Sequence, residues 1–123
     1  MSKQSITRVE KPWGYELIWA KTADYVGKVI HINKGHKLSL QYHNIKEETI
    51  YVLSGKMALL IENDRGVLEE IPLAAGEAHH IPVKRKHRFI GVEDCDIAEV
   101  STCHLDDVVR LEDNYGRSGT SKA

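Results

Sequence analysis

An all-β fold, a sandwich or barrel of Greek-key or jelly-roll type, is predicted by three features of this 123-residue chain. Short runs rich in Val, Ile, Leu and Tyr recur at regular spacing. Gly, Pro, Asn and Asp punctuate them. No stretch carries a helical period of usable length. The length suits one domain over residues 1–123, with an ordered core at about 9–115 and a flexible tail at 116–123. A domain of this size buries roughly two thirds of its unfolded surface and needs no disulfides to hold a core.

Residues 1–8 are polar and are expected to be loosely attached. Pro12 and Gly14 bar a helix in Lys11-Pro-Trp-Gly14; Trp13 either plugs one end of the core or stacks on a ligand. Tyr15–Ala20 alternates as a strand, Lys21–Asp24 turns, and Tyr25–Asn33 carries β-branched density. Gly55-Lys56 is a tight-turn signal ahead of a strand at Met57–Glu62. Asn63-Asp-Arg-Gly66 is a hairpin turn, because Asn, Asp and Gly tolerate positive φ, and Val67–Ile71 returns from it. Leu73–Glu77 reads as a second turn, Ala78–Ile81 as a short strand closed by Pro82, and Lys84-Arg-Lys86 as a basic loop. His87–Val92 is a strand, Glu93–Asp96 a turn and Ile97–Cys103 a last long strand. Leu105–Leu111 is either a short helix or an edge segment, and the small polar residues from Gly116 onward read as tail.

Composition excludes several classes. The formal net charge of −1 gives no global field for nucleic acid or an anionic membrane. No apolar run approaches the roughly 20 residues that span a bilayer. The first residues lack an apolar signal core, which points to the cytoplasm. Cys95 and Cys103 form no CxxC pattern and are expected to be ordinary thiols.

The chemistry concentrates between Gly35 and Gly55. On a strand Ser39, Gln41 and His43 share one face, and Leu38, Leu40 and Tyr42 the other. Glu48, Ile50 and Val52 share a face of the next strand. Were Gln41, His43 and Glu48 to face one interior, a nitrogen and two oxygens would converge as ligands for a divalent metal. The alternative is a surface hairpin with incidental polar residues.

The spacing Gly35-x5-Gln41-x-His43-x4-Glu48-x6-Gly55 resembles the first signature of the cupin superfamily, with Gln41 where His is usual. Pro72-Leu-Ala-Ala-Gly76 ahead of His87 matches the second signature, apart from the basic loop Val83–Lys86 and the lack of an Asn shortly after the His. His79 and His80 are rival candidates. A narrower resemblance covers Val9 to Arg117 and is to the C-terminal cupin domain of type II phosphomannose isomerases, often fused to mannose-1-phosphate guanylyltransferases. It is carried by Lys11-Pro-Trp-Gly14, Leu38-Ser-Leu-Gln-Tyr-His43, Glu48, Tyr51-Val-Leu-Ser-Gly55 and Asp106-Asp-Val-Val-Arg-Leu-Glu-Asp-Asn-Tyr-Gly-Arg117. The resemblance implies a jelly-roll barrel holding one divalent metal through Gln41, His43, Glu48 and His87. Nitrogen and oxygen ligands without thiolate suit Zn, Mn, Fe, Co or Ni. Where the family carries His-Arg before the metal Glu, this chain has Ile45-Lys46, which keeps the charge and loses the planar fork. No stretch matches a guanylyltransferase, so nucleotide transfer is not expected.

The implied activity is metal-dependent isomerisation of a sugar phosphate of the mannose 6-phosphate type. Lys46 and Glu99 are the candidate proton-handling residues. Lys37, Arg85 and Arg88 are the candidate phosphate-binding cations at the barrel mouth, with Lys37 and Arg88 foremost. Arg110 and Arg117 are expected to pair with Asp106, Asp107, Glu112 or Asp113 and pin the C-terminal segment. A sugar-binding or regulatory cupin that does not turn over its ligand, and an iron-dependent dioxygenase, are the alternatives. The expected partners are a small sugar or sugar phosphate and a second copy of the chain, with no nucleic acid and no membrane.

Overall fold

The structure, a computed structural model, describes residues 3–116 and 119–120. Every regular element among them is a β-strand. In chain order these are β1 (Thr7–Lys11), β2 (Gly14–Lys21), β3 (Tyr25–Ile32), β4 (Leu40–Tyr42), β5 (Glu48–Ser54), β6 (Lys56–Glu62), β7 (Leu68–Ala74), β8 (Ala78–Ile81), β9 (His87–Gly91), β10 (Cys95–Thr102), β11 (Val109–Glu112) and β12 (Gly119–Thr120). Two six-stranded sheets face each other, in the orders β1-β2-β3-β10-β5-β8 and β12-β11-β4-β9-β6-β7. The pairings are antiparallel throughout.

From β4 to β10 the chain repeatedly changes sheets, which makes a jelly roll rather than a row of hairpins. The expected tight turn at Gly55 is present, and it carries the chain from β5 to β6, which lie in different sheets. A Cβ on Gly55 would lie 2.1 Å from the Asp94 carbonyl oxygen, and its φ of 77° suits glycine. The Asn63–Gly66 turn is a true hairpin between β6 and β7, with the Asn63 side chain accepting from the N–H of Arg65 and Val67.

Several boundaries move. The N-terminal strand begins at Thr7 and pairs with β2 around Pro12 and Trp13, so the segment expected to be loose is partly in a sheet. β7 runs through Pro72 to Ala74; an edge strand tolerates the missing N–H, and the turn shortens to Ala75–Glu77. β10 starts at Cys95, because the register with β3 continues through Asp96. Of the two readings for Leu105–Leu111 the helix fails: Val109–Glu112 forms β11, which pairs with β4 and lies one strand in from the edge held by β12. In the expected tail, Gly119–Thr120 pairs with Val109–Arg110, while Arg117 and its expected ion pair lie outside the described residues.

The core fills one end of the barrel. Ile30, Ile32, Ile50, Val52, Met57, Leu59, Phe89 and Ile97 are buried there, and Trp13, 2% exposed, packs with them while also lining the polar cavity described below. Burial of such side chains contributes about 1.5–3 kcal/mol each. Both cysteines are free, and burial with the neighbouring Asp96 charge pushes the Cys95 thiol up to about 11, so it is an inert packing group.

Candidate metal centre

The other end of the barrel interior is polar. Alternation along β5 that buries Ile50 and Val52 also buries Glu48, and on β9 it buries His87 beside Phe89. Gln41 lies opposite His87 in the β4–β9 register, and His43 follows β4 directly. β4 and β5 belong to different sheets, so the segment 43–47 carries the chain across the interior. The surface-hairpin alternative is thereby excluded. Leu38 departs from simple alternation: it is buried in the core beside Ser39, because the chain before β4 meets β9 only through irregular bonds, Leu38 N–H to Phe89 O among them.

Glu48 is the hub. Its Oε1 lies 3.4 Å from His87 Nε2, and its Oε2 lies 3.6 Å from His43 Nε2. The candidate ligand atoms of His43, Glu48 and His87 all lie within 4.8 Å of one another, and all three residues are buried. Both rings are oriented from behind. His43 Nδ1 donates to the Asp107 carbonyl at 2.6 Å and His87 Nδ1 to the Arg85 carbonyl at 2.8 Å, which leaves each Nε2 as the lone-pair atom facing Glu48. Gln41 donates its NH2 to Ser39 Oγ at 3.1 Å, turning its amide oxygen the other way. Glu48 Oε2 is buried without a well-aligned hydrogen bond. A divalent cation fits this donor set: two imidazole Nε2 atoms, the Glu48 carboxylate and one amide.

Charge surrounds the centre. Lys46, 4% exposed, places Nζ 3.0 Å from Glu48 Oε2 and 3.4 Å from Glu99 Oε2. Lys28 Nζ lies 3.9 Å from Glu99 Oε2 and 3.2 Å from Glu16 Oε1. Burial pushes His43 down to about 4, with the Lys46 charge adding to the effect and Glu48 opposing it, so the ring is neutral at pH 7. Burial opposes ionisation of Glu48, but the Lys46 charge beside it more than offsets this and holds its carboxyl well below the usual range. Burial, then the Glu48 charge, raises Glu99. Burial alone would lower Lys46, and the Glu99 and Glu48 carboxylates more than offset it, so Lys46 stays charged.

The sequence candidates divide. Gln41, His43, Lys46, Glu48, His87 and Glu99 line one cavity. Lys37 and Arg88 do not. Arg88 lies between inward-facing His87 and Phe89 and so leaves the opposite face of β9, where its guanidinium binds the Leu38 carbonyl and Glu112. Lys37 sits at an isolated bridge with Ile90. Arg85 turns its side chain to the Glu62 carbonyl and Asp64. The cations that line the cavity are Lys11, Lys28, Lys46 and Arg110. His79 bonds the His80 carbonyl and His80 pairs with Glu47 at the surface, so neither rival His reaches the centre.

Asp107 holds the site in a way that the sequence did not suggest. Its carboxylate accepts the N–H of Asn44, Ile45 and Lys46 at 3.1, 2.6 and 2.8 Å, capping the segment that carries Lys46, while its carbonyl orients His43. Those bonds outweigh its slight burial and hold its carboxyl low. Its place in the Asp106–Arg117 run was the only signal. The basic loop likewise serves through its backbone. Lys84 N–H donates to the His43 carbonyl at 2.7 Å, with Lys84 held at a φ of 64°.

Comparison with known proteins agrees with this architecture. The family model described as mannose-6-phosphate isomerase C-terminal matches residues 1–113. Mannose-1-phosphate guanylyltransferase of Escherichia coli (strain K12) is 34% identical over 115 residues, 89% of this chain and 23% of its own length. The alginate biosynthesis protein AlgA of Pseudomonas aeruginosa is 29% identical over 120 residues, 94% of this chain and 24% of its own. The chain thus spans about a quarter of the length of these relatives. Among solved structures, KdgF from Halomonas sp. superposes with a TM-score of 0.71 at 20% identity, covering 84% of this chain and 91% of that one. An RmlC-like cupin from Shewanella frigidimarina superposes with a TM-score of 0.68 at 15% identity, covering 79% and 83%. The structural likenesses show the cupin fold, and the sequence match shows the family: this chain belongs to the mannose-6-phosphate isomerase C-terminal family.

Proposed function

We propose that this protein is a metal-dependent isomerase of a sugar phosphate of the mannose 6-phosphate type. The observation that carries the reading is the meeting of His43, Glu48 and His87 at a buried point next to the Lys46–Glu99 pair. Gln41, His43, Glu48 and His87 would hold one divalent ion, which supplies Lewis acidity toward a sugar carbonyl.

The chain's own residues do the rest. Aldose–ketose isomerisation moves a proton from C2 to C1 and another from O2 to O1. Glu99 takes the C2 proton as carboxylate and returns it to C1 as acid; its raised pKa suits a group that must do both. Lys46 donates a hydrogen bond to the oxygen on which negative charge builds. Lys11 and Arg110, which line the cavity, offer charge to the phosphate in place of Lys37 and Arg88. The enclosed space is about 40 Å³, room for a cation and a water but not a whole hexose. C1 and C2 therefore reach in while the phosphate stays nearer the mouth.

Conversion of mannose 6-phosphate to fructose 6-phosphate by metal-loaded protein tests the proposal. Turnover lost on chelation and in Glu99→Gln supports it, and no interconversion across a panel of sugar phosphates counts against it. The small cavity and the replacement of the family's His-Arg by Ile45-Lys46 favour a second reading, a sugar-binding cupin without turnover. A sugar phosphate that raises the melting temperature yet is recovered unchanged would select that reading. A second copy of the chain is the partner we propose for the outer face of the β2-β3-β10-β5 sheet, where Trp19, Tyr51, Leu53 and Val100 are exposed. A one-chain mass by light scattering at micromolar concentration would remove it.

A further inference from the structure

One ammonium is shared by two buried carboxylates. Lys46 Nζ lies 3.0 Å from Glu48 Oε2 and 3.4 Å from Glu99 Oε2. The Glu48 oxygen that it faces is also the one 3.6 Å from His43 Nε2. A cation gripped by His43 and Glu48 would need that oxygen, and two cations against one oxygen repel at low dielectric. Lysine carries a compact charge on a flexible stem, so Nζ can swing where a guanidinium fork would be fixed. The second seat is already built. Glu99 is held from behind by Lys28, which lies 3.9 Å from it and is itself anchored to Glu16 at 3.2 Å. The five charges run Glu16, Lys28, Glu99, Lys46, Glu48, alternating in sign across the interior, and all five residues are buried.

We propose that Lys46 is a displaceable counter-ion of the metal centre. It neutralises Glu48 when no cation is bound and withdraws onto Glu99 when a divalent cation arrives, and Lys28 and Glu16 keep Glu99 in place to receive it. This rests on reading His43, Glu48 and His87 as metal ligands. Metal affinity is then lower than the ligand set alone would give, because each binding event must break the Lys46–Glu48 pair. Lys46 and Glu99 act on affinity in opposite directions, Lys46 by competing and Glu99 by taking the competitor away. A role limited to holding the fold would not give opposite signs.

Calorimetric titration of Zn²⁺ into chelator-stripped protein tests this without any assay of activity. Lys46→Gln and Lys46→Met should each bind Zn²⁺ about tenfold or more tightly than wild type, and Glu99→Gln about tenfold more weakly. In the Lys46→Gln background the Glu99→Gln penalty should largely vanish. Two Lys46 variants guard against one failing to fold. Lysine side-chain NMR of the wild-type protein reads the same event without substitution: the Lys46 resonance should move on Zn²⁺ addition well beyond that of Lys28. Wild-type or weaker affinity in the folded Lys46 variants, an undiminished Glu99 penalty in the double variant, or an unmoved Lys46 resonance would overturn the proposal. Glu48→Gln separates the two readings. Loss of Zn²⁺ binding there with indifferent Lys46 variants leaves the metal centre standing and removes only the counter-ion role, whereas unchanged binding in Glu48→Gln removes the centre and the role together.

Discussion

The two ends of the barrel interior are built by the same strands and hold opposite contents. On β5, Ile50 and Val52 sit in the core and Glu48 in the ionic centre; on β10, Ile97 is core and Glu99 is ionic. On β3, Ile30 and Ile32 are core and Lys28 is ionic; on β9, Phe89 is core and His87 is ionic. Two residues along the same face change the environment from apolar to charged. The apolar end gains from every side chain that it removes from water. The ionic end loses hydration on each charge and recovers it only through pairing, so its residues tolerate no unpaired loss. Stability is therefore concentrated at one end and the candidate metal ligands at the other, on strands whose register fixes both.

The sharpest way to break this comparison is to remove a ligand from the ionic end. His87→Ala or Glu48→Gln should take metal content from one ion per chain to background by elemental analysis, because both Nε2 atoms converge on this carboxylate. The apolar counterpart is Ile97→Ala, two residues from Glu99. It should cost about 2–5 kcal/mol in urea unfolding while leaving metal stoichiometry unchanged. A loss of metal there would show that the ends are not separable.

Acid should weaken the ionic end first. The folded chain keeps His43 neutral down to about pH 4, against an ordinary value of 6.5. Between those values only the unfolded chain takes the proton, so stability present above pH 6.5 is lost as pH falls toward 4, by up to about 3 kcal/mol. Denaturation of metal-stripped protein at pH 7 and 4.5 measures this, and His43→Gln should lose visibly less over the same window. An equal loss in both proteins would mean that burial of this ring is not the cause. Asp107→Ala removes the acceptor for three backbone N–H groups, although its carbonyl still orients His43. Metal affinity should fall about 10- to 100-fold with the fold intact. The smallest effect is expected at Lys37→Ala, which sits outside the cavity and should leave KM for a sugar phosphate unchanged, while Arg110→Ala raises it.

Most of the strands were legible in the sequence because alternation and turn residues are local signals. Those signals read equally well for a hairpin and for a crossover, so the tight turn at Gly55 was legible but not that it joins two different sheets. The four residues read as candidate metal ligands from spacing and resemblance all line one cavity. The cations expected to bind phosphate do not join them there. Arg88 and Lys37 are cations near the right strand, but one faces the wrong side of β9 and the other never reaches the interior. The function of Asp107 was hidden for a related reason. It works on a segment some 60 residues earlier in the chain, and a carboxylate beside an arginine in sequence suggests the nearer partner.

By itself the sequence determined the β class, the alternating faces, the Asn63–Gly66 hairpin and the identity of the residues able to ligate a metal, since each depends on neighbours a few positions apart. Only the tertiary structure decided that β4 and β5 lie in opposite sheets, that Lys46 sits between Glu48 and Glu99, and that backbone carbonyls of Asp107 and Arg85 orient the two histidines. These are contacts between distant segments, fixed when the two sheets close on one another and buried charges must find partners, which no local pattern encodes.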